Sequence, residues 1–517
     1  MNTISRILLL AACALGSACS VNPVTGESEL SLVSEAQEIA LGEQQYAPSQ
    51  QSQGGQYVVD PQLQSYVADI GHRLAAVSHR PGLPYDFVVL NNSVPNAWAL
   101  PGGKIAVNRG LLIKLQDEAE LAAVLSHEIV HAAARHGASQ MSRGALTGIT
   151  AQIATIAAAS AGYGQLGSRA AQASSAAFMA RYGRDDELES DKYGMEYMAK
   201  LGYDPQAAVS LQETFVRLSA KRQQDFVSGL FASHPPSQAR VDANRERAKT
   251  LSDGERYRQR YQRHIAQLQK DAEAYTKQDQ AVAALKQDDA HKALALLDAA
   301  VAIQPEEAQF WETRGHAWSM LDNTANAEKA YTTAIRKNPG YFSPKLYRGL
   351  SYLQSEQWTA ARQDLFDSYA LLPTPVSAYY LGEVHTELGD EQQAIAYYQQ
   401  AADSGARDIA NQARTKLALL ELSHSPHKYV ASKAYVGNDG YLWVAVRNNT
   451  NIALTDVKVQ LTQHSEPGIQ SRQDTLGQSL RLDAGQRRDV KTGIGPFQDT
   501  RQARQFRSLV ISATPAQ

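Results

Sequence analysis

Cysteine is nearly absent from this sequence of 517 residues, and both cysteines, Cys13 and Cys19, lie in its first nineteen positions. A chain processed at Cys19 has no disulfide and no thiolate metal site, even in a compartment that permits disulfides. We therefore expect its stability to come from core packing, from repeats and from a bound metal.

A large excess of charge of one sign is also missing. The 50 basic and 53 acidic residues are mixed along the chain and leave a formal net charge of -3. This mixture excludes the basic stripe of a nucleic-acid-binding protein, so no nucleic acid partner is expected. A hydrophobic share of 43% and a charged share of 20% are typical of folded protein. The length allows roughly three domains.

The first nineteen residues have the layout of a signal peptide. Arg6 carries their only charge, an apolar run extends from Ile7 to Leu15, and small residues precede Cys19. Such a segment is too short to remain as a membrane-spanning helix. Two interpretations stay open for residues 1-19: an ordinary cleaved signal, and a lipoprotein signal in which Cys19 becomes the acylated first residue. We favour the lipoprotein signal, and we favour Cys19 over Cys13 as the acylated residue.

The residue after Cys19 indicates a compartment. Ser20 is not acidic, and in bacterial lipoproteins a non-acidic residue at this place is typical of the outer membrane. We expect a lipid anchor on the periplasmic side of the outer membrane, or a soluble periplasmic protein if the signal is an ordinary one.

Residues 20-250 contain helix signals interspersed with three short strand signals, which predicts an α+β domain. The longest helix begins with acidic residues and is followed by Gly137. The predicted helices are 34-46, 61-77, 117-136 and 185-201, and the predicted strands are 85-90, 96-100 and 104-107. A segment at 145-180 is rich in Ala, Gly and Ser, and a helical hairpin is favoured there over a membrane-proximal segment.

After a charged stretch at 251-273, predicted as a linker helix, small residues and prolines recur at 34-residue intervals. This period resembles the tetratricopeptide repeat, in which pairs of helices pack at small residues. We predict an α-solenoid at 274-425 that binds a protein partner or another part of this chain. The recurring residues are Ala293, Ala327 and Ala361, then Pro305, Pro339 and Pro373, then Gly315 and Gly349.

Alternating strand signals appear only in the last segment of the chain. They recur between turn-forming Asn, Asp and Gly residues, as at 438-440 and 448-451. Residues 426-517 are therefore predicted to form an all-β sandwich.

A pattern that carries chemistry lies on the longest predicted helix. His127 and His131 are four residues apart and so share one helix face, where both imidazoles reach one zinc ion. Glu128 lies beside them and is the candidate catalytic general base toward water. A catalytic zinc needs a third protein ligand, and we expect one Zn2+ per chain.

The third ligand has two readings from spacing alone. Glu187 can bind metal while Asp191, one turn further, supports a ligating histidine. Equally, both residues can belong to a solvated acidic face together with Asp185, Asp186 and Glu189.

The chemistry-bearing residues together resemble a known family. The pattern HExxH, then ExxxD, then a Ser-His-Pro-Pro loop is similar to that of the HtpX and CaaX-prenyl-protease family of zinc peptidases, over about residues 34 to 250. Ser190 stands where the family has Ala, a departure that touches neither ligand. The lipoprotein start and the repeats narrow the resemblance to BepA-like periplasmic metalloproteases, although the last β domain has no counterpart there.

The resemblance implies roles for individual residues. It makes Glu187 the third metal ligand and Asp191 its catalytic support. It implies that His234 approaches the zinc and holds the enzyme off, whereas the residues alone favour an ordinary loop histidine. Arg240 contacts substrate or Glu187, and His136 is expected to be structural.

The resemblance also implies how substrate binds. The segment Asn96, Ala97, Trp98 and Ala99 matches the family's edge strand, to which an extended peptide adds through main-chain hydrogen bonds. We expect a zinc-dependent endopeptidase that cleaves unfolded or misassembled cell-envelope proteins, with repeats that contact outer-membrane assembly machinery. The alternative is a repeat-based chaperone or adaptor lipoprotein whose zinc site is occluded or inactive.

Overall fold

The fold is described by a computed structural model that covers residues 19–146, 182–220, 233–463, 472–476 and 479–516. The chain divides into two compact units: residues 1–355 with 367–372, and residues 356–366 with 373–517. Most of the predicted signal peptide and the segment 147–180 of the predicted hairpin lie outside the described residues. Within the described ranges, no helix is both long and apolar enough to span a membrane.

The first unit contains a small mixed sheet with helices around it. Strand β3 runs parallel to the central strand β5, and β4 pairs antiparallel with the other side of β5. The strands of this unit are β1 (Cys19–Val21), β2 (Ser28–Leu30), β3 (Asp86–Leu90), β4 (Ala97–Leu100) and β5 (Lys104–Asn108). Its first helices are α1 (Glu35–Ser52), α2 (Pro61–Ala76), α3 (Arg109–Leu112), α4 (Glu118–Ala133), α5 (His136–Leu146), α6 (Arg184–Lys200), α7 (Gln206–Ala220) and α8 (Gln238–Ala248).

Helix α4 is the centre of this unit, and all of its residues are buried. Its start is fixed by Asp117, whose side chain accepts a hydrogen bond from the backbone N–H of Glu120. Ala and Leu on every face let α4 pack against α2, α6 and the sheet. The predicted helix was expected to continue to His136, but it ends at Ala133. Arg135 then takes a left-handed conformation with φ of 62° and turns the chain into α5.

The segment predicted as a linker helix is not one helix. It contains α9 (Arg258–His264), α10 (Ala266–Lys270) and the start of α11 (Ala272–Leu285). The chain bends between these pieces because Tyr261, Ile265 and Leu268 pack into the core around α4. This stretch is therefore part of the first unit and not an exposed spacer.

The predicted helix pairs follow. They are α12 (Ala290–Ile303), α13 (Ala308–Met320), α14 (Thr324–Lys337), α15 (Ser343–Gln354), α16 (Trp358–Leu371), α17 (Pro375–Glu387), α18 (Glu391–Ala402) and α19 (Arg407–Glu421). Gly315 shows why small residues recur, because a Cβ there would lie 2.3 Å from the ring of Tyr331. In the second unit Gly382 meets Tyr398 in the same way, at 2.6 Å.

The first repeats contact the domain that carries α4. Glu307 is buried and accepts hydrogen bonds from Asn91 at 2.8 Å and from the hydroxyl of Tyr275 at 2.6 Å. Gln51 binds the backbone at Gly340 and Phe342. Of the two predicted uses of the repeat surface, contact with another part of this chain is therefore observed for these repeats.

The second unit ends in two packed sheets. One contains β10 (Leu480–Leu482), β8 (Leu454–Gln463) and β12 (Phe506–Pro515), with β9 (Arg472–Thr475) also paired to β8; the other has the order β11 (Arg487–Lys491), β7 (Leu442–Asn448), β6 (Val430–Val436). Val444 and Val446 from one sheet share a core with Val457 and Val459 from the other. The fold class is thus the predicted one: a peptidase-type α+β domain, helical repeats and C-terminal sheets.

The acid at the start of α4 leads to a prediction about stability. Glu118 is fully buried and is bound by Arg260 and by the hydroxyls of Tyr66 and Tyr203. Burial opposes its ionisation, but these partners hold the pKa of Glu118 below its usual value. A depressed carboxyl pKa stabilises the fold above the unfolded-state pKa, and this contribution is lost as the pH falls.

Replacing Arg260 by Ala should therefore lower the free energy of unfolding by about 2 kcal/mol at pH 7, because a half-exposed partner of a buried charge is removed. The loss should shrink at pH 4, where the carboxyl binds a proton more readily. Urea unfolding at both pH values measures this, with the more exposed Arg258→Ala as the control. An equal loss at both pH values contradicts the assignment.

Candidate metal centre

Four side chains that the sequence analysis named as candidate metal contacts lie close together on the side of α4 that packs against α6. One ligand atom from each of His127, His131, Glu187 and His234 lies within 4.8 Å of the others, and all four residues are buried. The Nε2 atoms of His127 and His131 are 3.0 Å apart. Helical spacing explains the two histidines, whereas only the packing of α6 against α4 adds Glu187. The reading of Glu187 as part of a solvated face is wrong.

A carboxylate on the Nδ1 side of the His127 ring fixes its orientation. Its Nδ1 lies 2.9 Å from Oδ1 of Asp191, so Nδ1–H donates to the acid and the lone pair of Nε2 faces the cluster. Arg240 binds the same carboxylate through two nitrogens, each at 2.7 Å. Burial opposes ionisation of Asp191, but the charge of Arg240 keeps its pKa below the usual value.

The sequence analysis left open whether Arg240 contacts substrate or Glu187. Its Nη1 lies 2.6 Å from Oε2 of Glu187, so it contacts the acid of the cluster. Burial opposes ionisation of Glu187, but His234 and His131 hold its pKa well below the usual range. One guanidinium thus faces two buried carboxylates, Glu187 and Asp191, from the neighbouring helix α8.

His131 has a partner that the sequence analysis did not identify. Its Nδ1 lies 2.9 Å from Nδ1 of His136, the first residue of α5. His136 is fully buried, and its Nε2 is 3.5 Å from Oε1 of Glu189. The available signal was a histidine five residues after His131, which contacts it where α4 ends and the left-handed Arg135 precedes α5.

Glu128 follows His127 on α4 and lines the same cavity as His127 and His234. Its Oε2 is buried and has no hydrogen-bond partner among the described residues. Burial raises the pKa of this carboxyl. A buried carboxylate with one unpaired oxygen next to these ligands fits a centre that holds a positive ion and a reacting molecule.

His234 reaches the cluster from the loop before α8. Its Nδ1 is 2.8 Å from Oε1 of Glu187 and 3.3 Å from Nε2 of His127, and its Nε2 is 3.4 Å from Oε1 of Glu128. Burial lowers the pKa of His234, but Glu187 and Glu128 outweigh it and raise the pKa. The loop histidine is therefore part of the cluster, which is what the resemblance implies.

The predicted substrate strand lies at the sheet edge but is covered. Ala97, Trp98 and Ala99 belong to β4, and they and Asn96 are buried. The hydroxyl of Tyr182 lies 3.5 Å from the backbone oxygen of Ala99. The Tyr182 ring also stacks on His131 with centroids 3.8 Å apart. This tyrosine, which the sequence analysis missed, thus connects the edge strand to the cluster.

The donor set fits a metal ion. Two imidazole Nε2 atoms and a carboxylate converge, each oriented by a further hydrogen bond, and the neighbouring Glu128 has one carboxylate oxygen without a partner among the described residues. Mixed nitrogen and oxygen donors of this kind are typical of zinc. Two residues of the cluster, His127 and His234, line a cavity together with the apolar side chains of Met195, Leu211 and Phe215.

Fold and centre together define a metallopeptidase. The model of peptidase family M48 matches residues 61–248, and that of the tetratricopeptide repeat matches residues 279–341, 321–375 and 348–409. The chain is 33% identical to metalloprotease YcaL of Escherichia coli over 192 residues, which are 36% of this chain and 73% of YcaL. The chain belongs to peptidase family M48.

Two further relatives share this region. The β-barrel assembly-enhancing protease of Yersinia pestis is 30% identical over 236 residues, or 44% of this chain and 47% of that protein. The mitochondrial metalloendopeptidase OMA1 of Schizosaccharomyces pombe is 36% identical over 184 residues, or 34% of this chain and 50% of that protein. The chain therefore spans about half the length of these two relatives.

Proposed function

We propose that this chain is a zinc-dependent endopeptidase. The observation that carries the proposal is the convergence of His127, His131 and Glu187, next to the buried Glu128, whose Oε2 has no hydrogen-bond partner among the described residues. A zinc ion in such a centre supplies Lewis acidity toward a carbonyl and lowers the pKa of water. One zinc per chain is expected, since the described residues contain one such cluster.

The chain's own residues divide the remaining work. Glu128 accepts a proton from the attacking water and delivers it to the leaving amine, a role that requires a free carboxylate oxygen next to the ligands. Asp191 fixes the ring of His127, and Arg240 holds Asp191 and Glu187 in place. The edge strand β4 offers its backbone to an extended peptide once Tyr182 moves away.

The substrate class follows from the mode of binding and from the relatives. A strand edge recognises main chain, which only unfolded segments expose over several residues. One relative is named for enhancing β-barrel assembly. We therefore infer that the substrates are unfolded or misassembled cell-envelope proteins, and that the repeats contact outer-membrane assembly proteins.

Replacing Glu128 by Gln should preserve the fold and zinc content but lower cleavage of unfolded β-casein by about 10²- to 10⁴-fold, the usual contribution of general acid–base catalysis. The exposed Glu246→Gln is the matched control and should cleave normally.

The folding state of the substrate should also matter. A folded substrate protein should resist cleavage until it is denatured. In cells, cross-linking of the Glu128→Gln variant should capture uncleaved envelope proteins and, through the repeats, assembly proteins.

The outcomes are distinguishable. A chain without zinc contradicts the proposal, and equal cleavage by wild type and Glu128→Gln removes Glu128 as the base. Full function of Glu128→Gln in cells favours the second candidate, a repeat-based chaperone or adaptor lipoprotein. The contacts of His234 with Glu187 and Glu128, which occlude the centre, are the observation that keeps this candidate open.

We further propose that His234 holds the enzyme in an inactive state. It lies where a fourth ligand binds, within 3.4 Å of Glu128, and so competes with water and substrate. Replacing His234 by Ala should raise the cleavage rate of β-casein, roughly tenfold if about a tenth of the chains are open. The exposed His291→Ala is the control. A fall in rate with zinc retained assigns His234 to catalysis instead.

The location is also a proposal. We infer that Cys19 is acylated and anchors the chain at the periplasmic side of the outer membrane. Replacing Cys19 by Ala should abolish incorporation of labelled palmitate and move the chain from the membrane fraction to the soluble periplasm. The matched control is Cys13→Ala, which should keep the label. Loss of label in Cys13→Ala alone assigns the anchor to Cys13.

A further inference from the structure

We infer that His136, Glu189 and Asn22 position the metal ligand His131, so that the segment directly after Cys19 is part of the metal centre. This inference rests on the proposed zinc site and deepens it. Its starting observation is that Nδ1 of His127 contacts the carboxylate of Asp191, whereas Nδ1 of His131 contacts another histidine, His136.

The ring nitrogens of His131 fix the proton positions. Its Nε2 faces the other ligands and must present a lone pair to bind metal, so the proton of the neutral ring lies on Nδ1. The atom 2.9 Å away is Nδ1 of His136, which therefore accepts that proton's hydrogen bond. His136 then carries its own proton on Nε2, which lies 3.5 Å from Oε1 of Glu189, an electrostatic contact and not a hydrogen bond.

Glu189 is in turn held by the N-terminal segment. The side-chain nitrogen of Asn22 donates to Oε1 of Glu189 at 3.0 Å. The side-chain oxygen of Asn22 accepts from the backbone of Val24 and Thr25, which closes the turn between β1 and β2. Asn22 is only 2% exposed, although it follows Cys19 by three residues. The hairpin of β1 and β2 thus reaches His131 through two side chains.

A second set of contacts holds the hairpin against the same corner of the chain. Arg135 donates to the carboxylate of Glu38 at 2.8 Å, to Oγ of Ser20 at 2.7 Å and to the backbone oxygen of Val33 at 2.6 Å. A left-handed non-glycine residue costs about 1 kcal/mol or more, which these bonds offset. The conformation of Arg135 directs His136 back toward His131.

The direct test measures zinc affinity of the full chain by competition with a chromophoric chelator, together with the visible spectrum of the Co2+-substituted protein. His136→Leu should weaken zinc binding about 10- to 100-fold, as loss of a ligand's supporting partner does elsewhere. His136→Asn should restore most of the affinity, because its side-chain oxygen occupies roughly the place of Nδ1. Asn22→Ala should weaken binding several-fold and shift the Co2+ spectrum in the same direction.

A matched control separates positioning from general loosening. Oγ of Ser142 accepts a hydrogen bond from the backbone of Leu32, so Ser142→Ala frees the same N-terminal segment without touching Asn22 or His136. Equal effects of Ser142→Ala and Asn22→Ala overturn the inference, and so does unchanged affinity in a folded His136→Leu. If His136→Leu does not fold, the comparison of zinc affinity between Asn22→Ala and Ser142→Ala tests the inference instead. A wild type that binds no zinc contradicts the proposed function itself.

Discussion

The arrangement of the centre depends on one buried cation. Arg240 places a single guanidinium against two carboxylates, Glu187 and Asp191, which lie one turn apart on α6. Two buried acids this close repel each other and are costly to ionise without a counter-charge. The planar fork of an arginine meets both at once, which a lysine cannot do. Because α8 supplies Arg240 and α6 supplies the acids, this contact also fixes two helices relative to the histidines of α4.

The metal centre is supported from parts of the chain that are distant in sequence. The turn after Cys19 contacts Glu189, the corner at Arg135 orients His136, and the segment at 251–273 binds the start of α4 through Arg260. The first repeats close over the loop that contains Asn91. In the first unit, the α+β part, the bent segment at 251–273 and the early repeats therefore contact one another. The domain boundaries at 250 and 273 stay predictions from the sequence.

Two side chains, His234 and Tyr182, cover the candidate ligands. His234 lies among the ligands, Tyr182 stacks on His131 and contacts the edge strand, and the side chains of that strand are buried. In the proposed mode of binding, an extended peptide pairs with β4 after Tyr182 moves, and a carbonyl approaches the ligands after His234 leaves.

The sequence by itself determined the local chemistry. His127, Glu128 and His131 lie on one helix face because helical periodicity requires it, and the 34-residue recurrence at Gly315 and Gly349 indicated helix pairs because only small residues fit where the helices cross. What required tertiary structure is each contact between distant segments. Spacing could not choose between a ligand and a solvated face for Glu187, because that choice depends on how α6 packs against α4. Nor could it reveal His136 as the partner of His131, because that contact depends on the left-handed conformation of Arg135, or Asn22 as the partner of Glu189, because those residues are far apart in sequence.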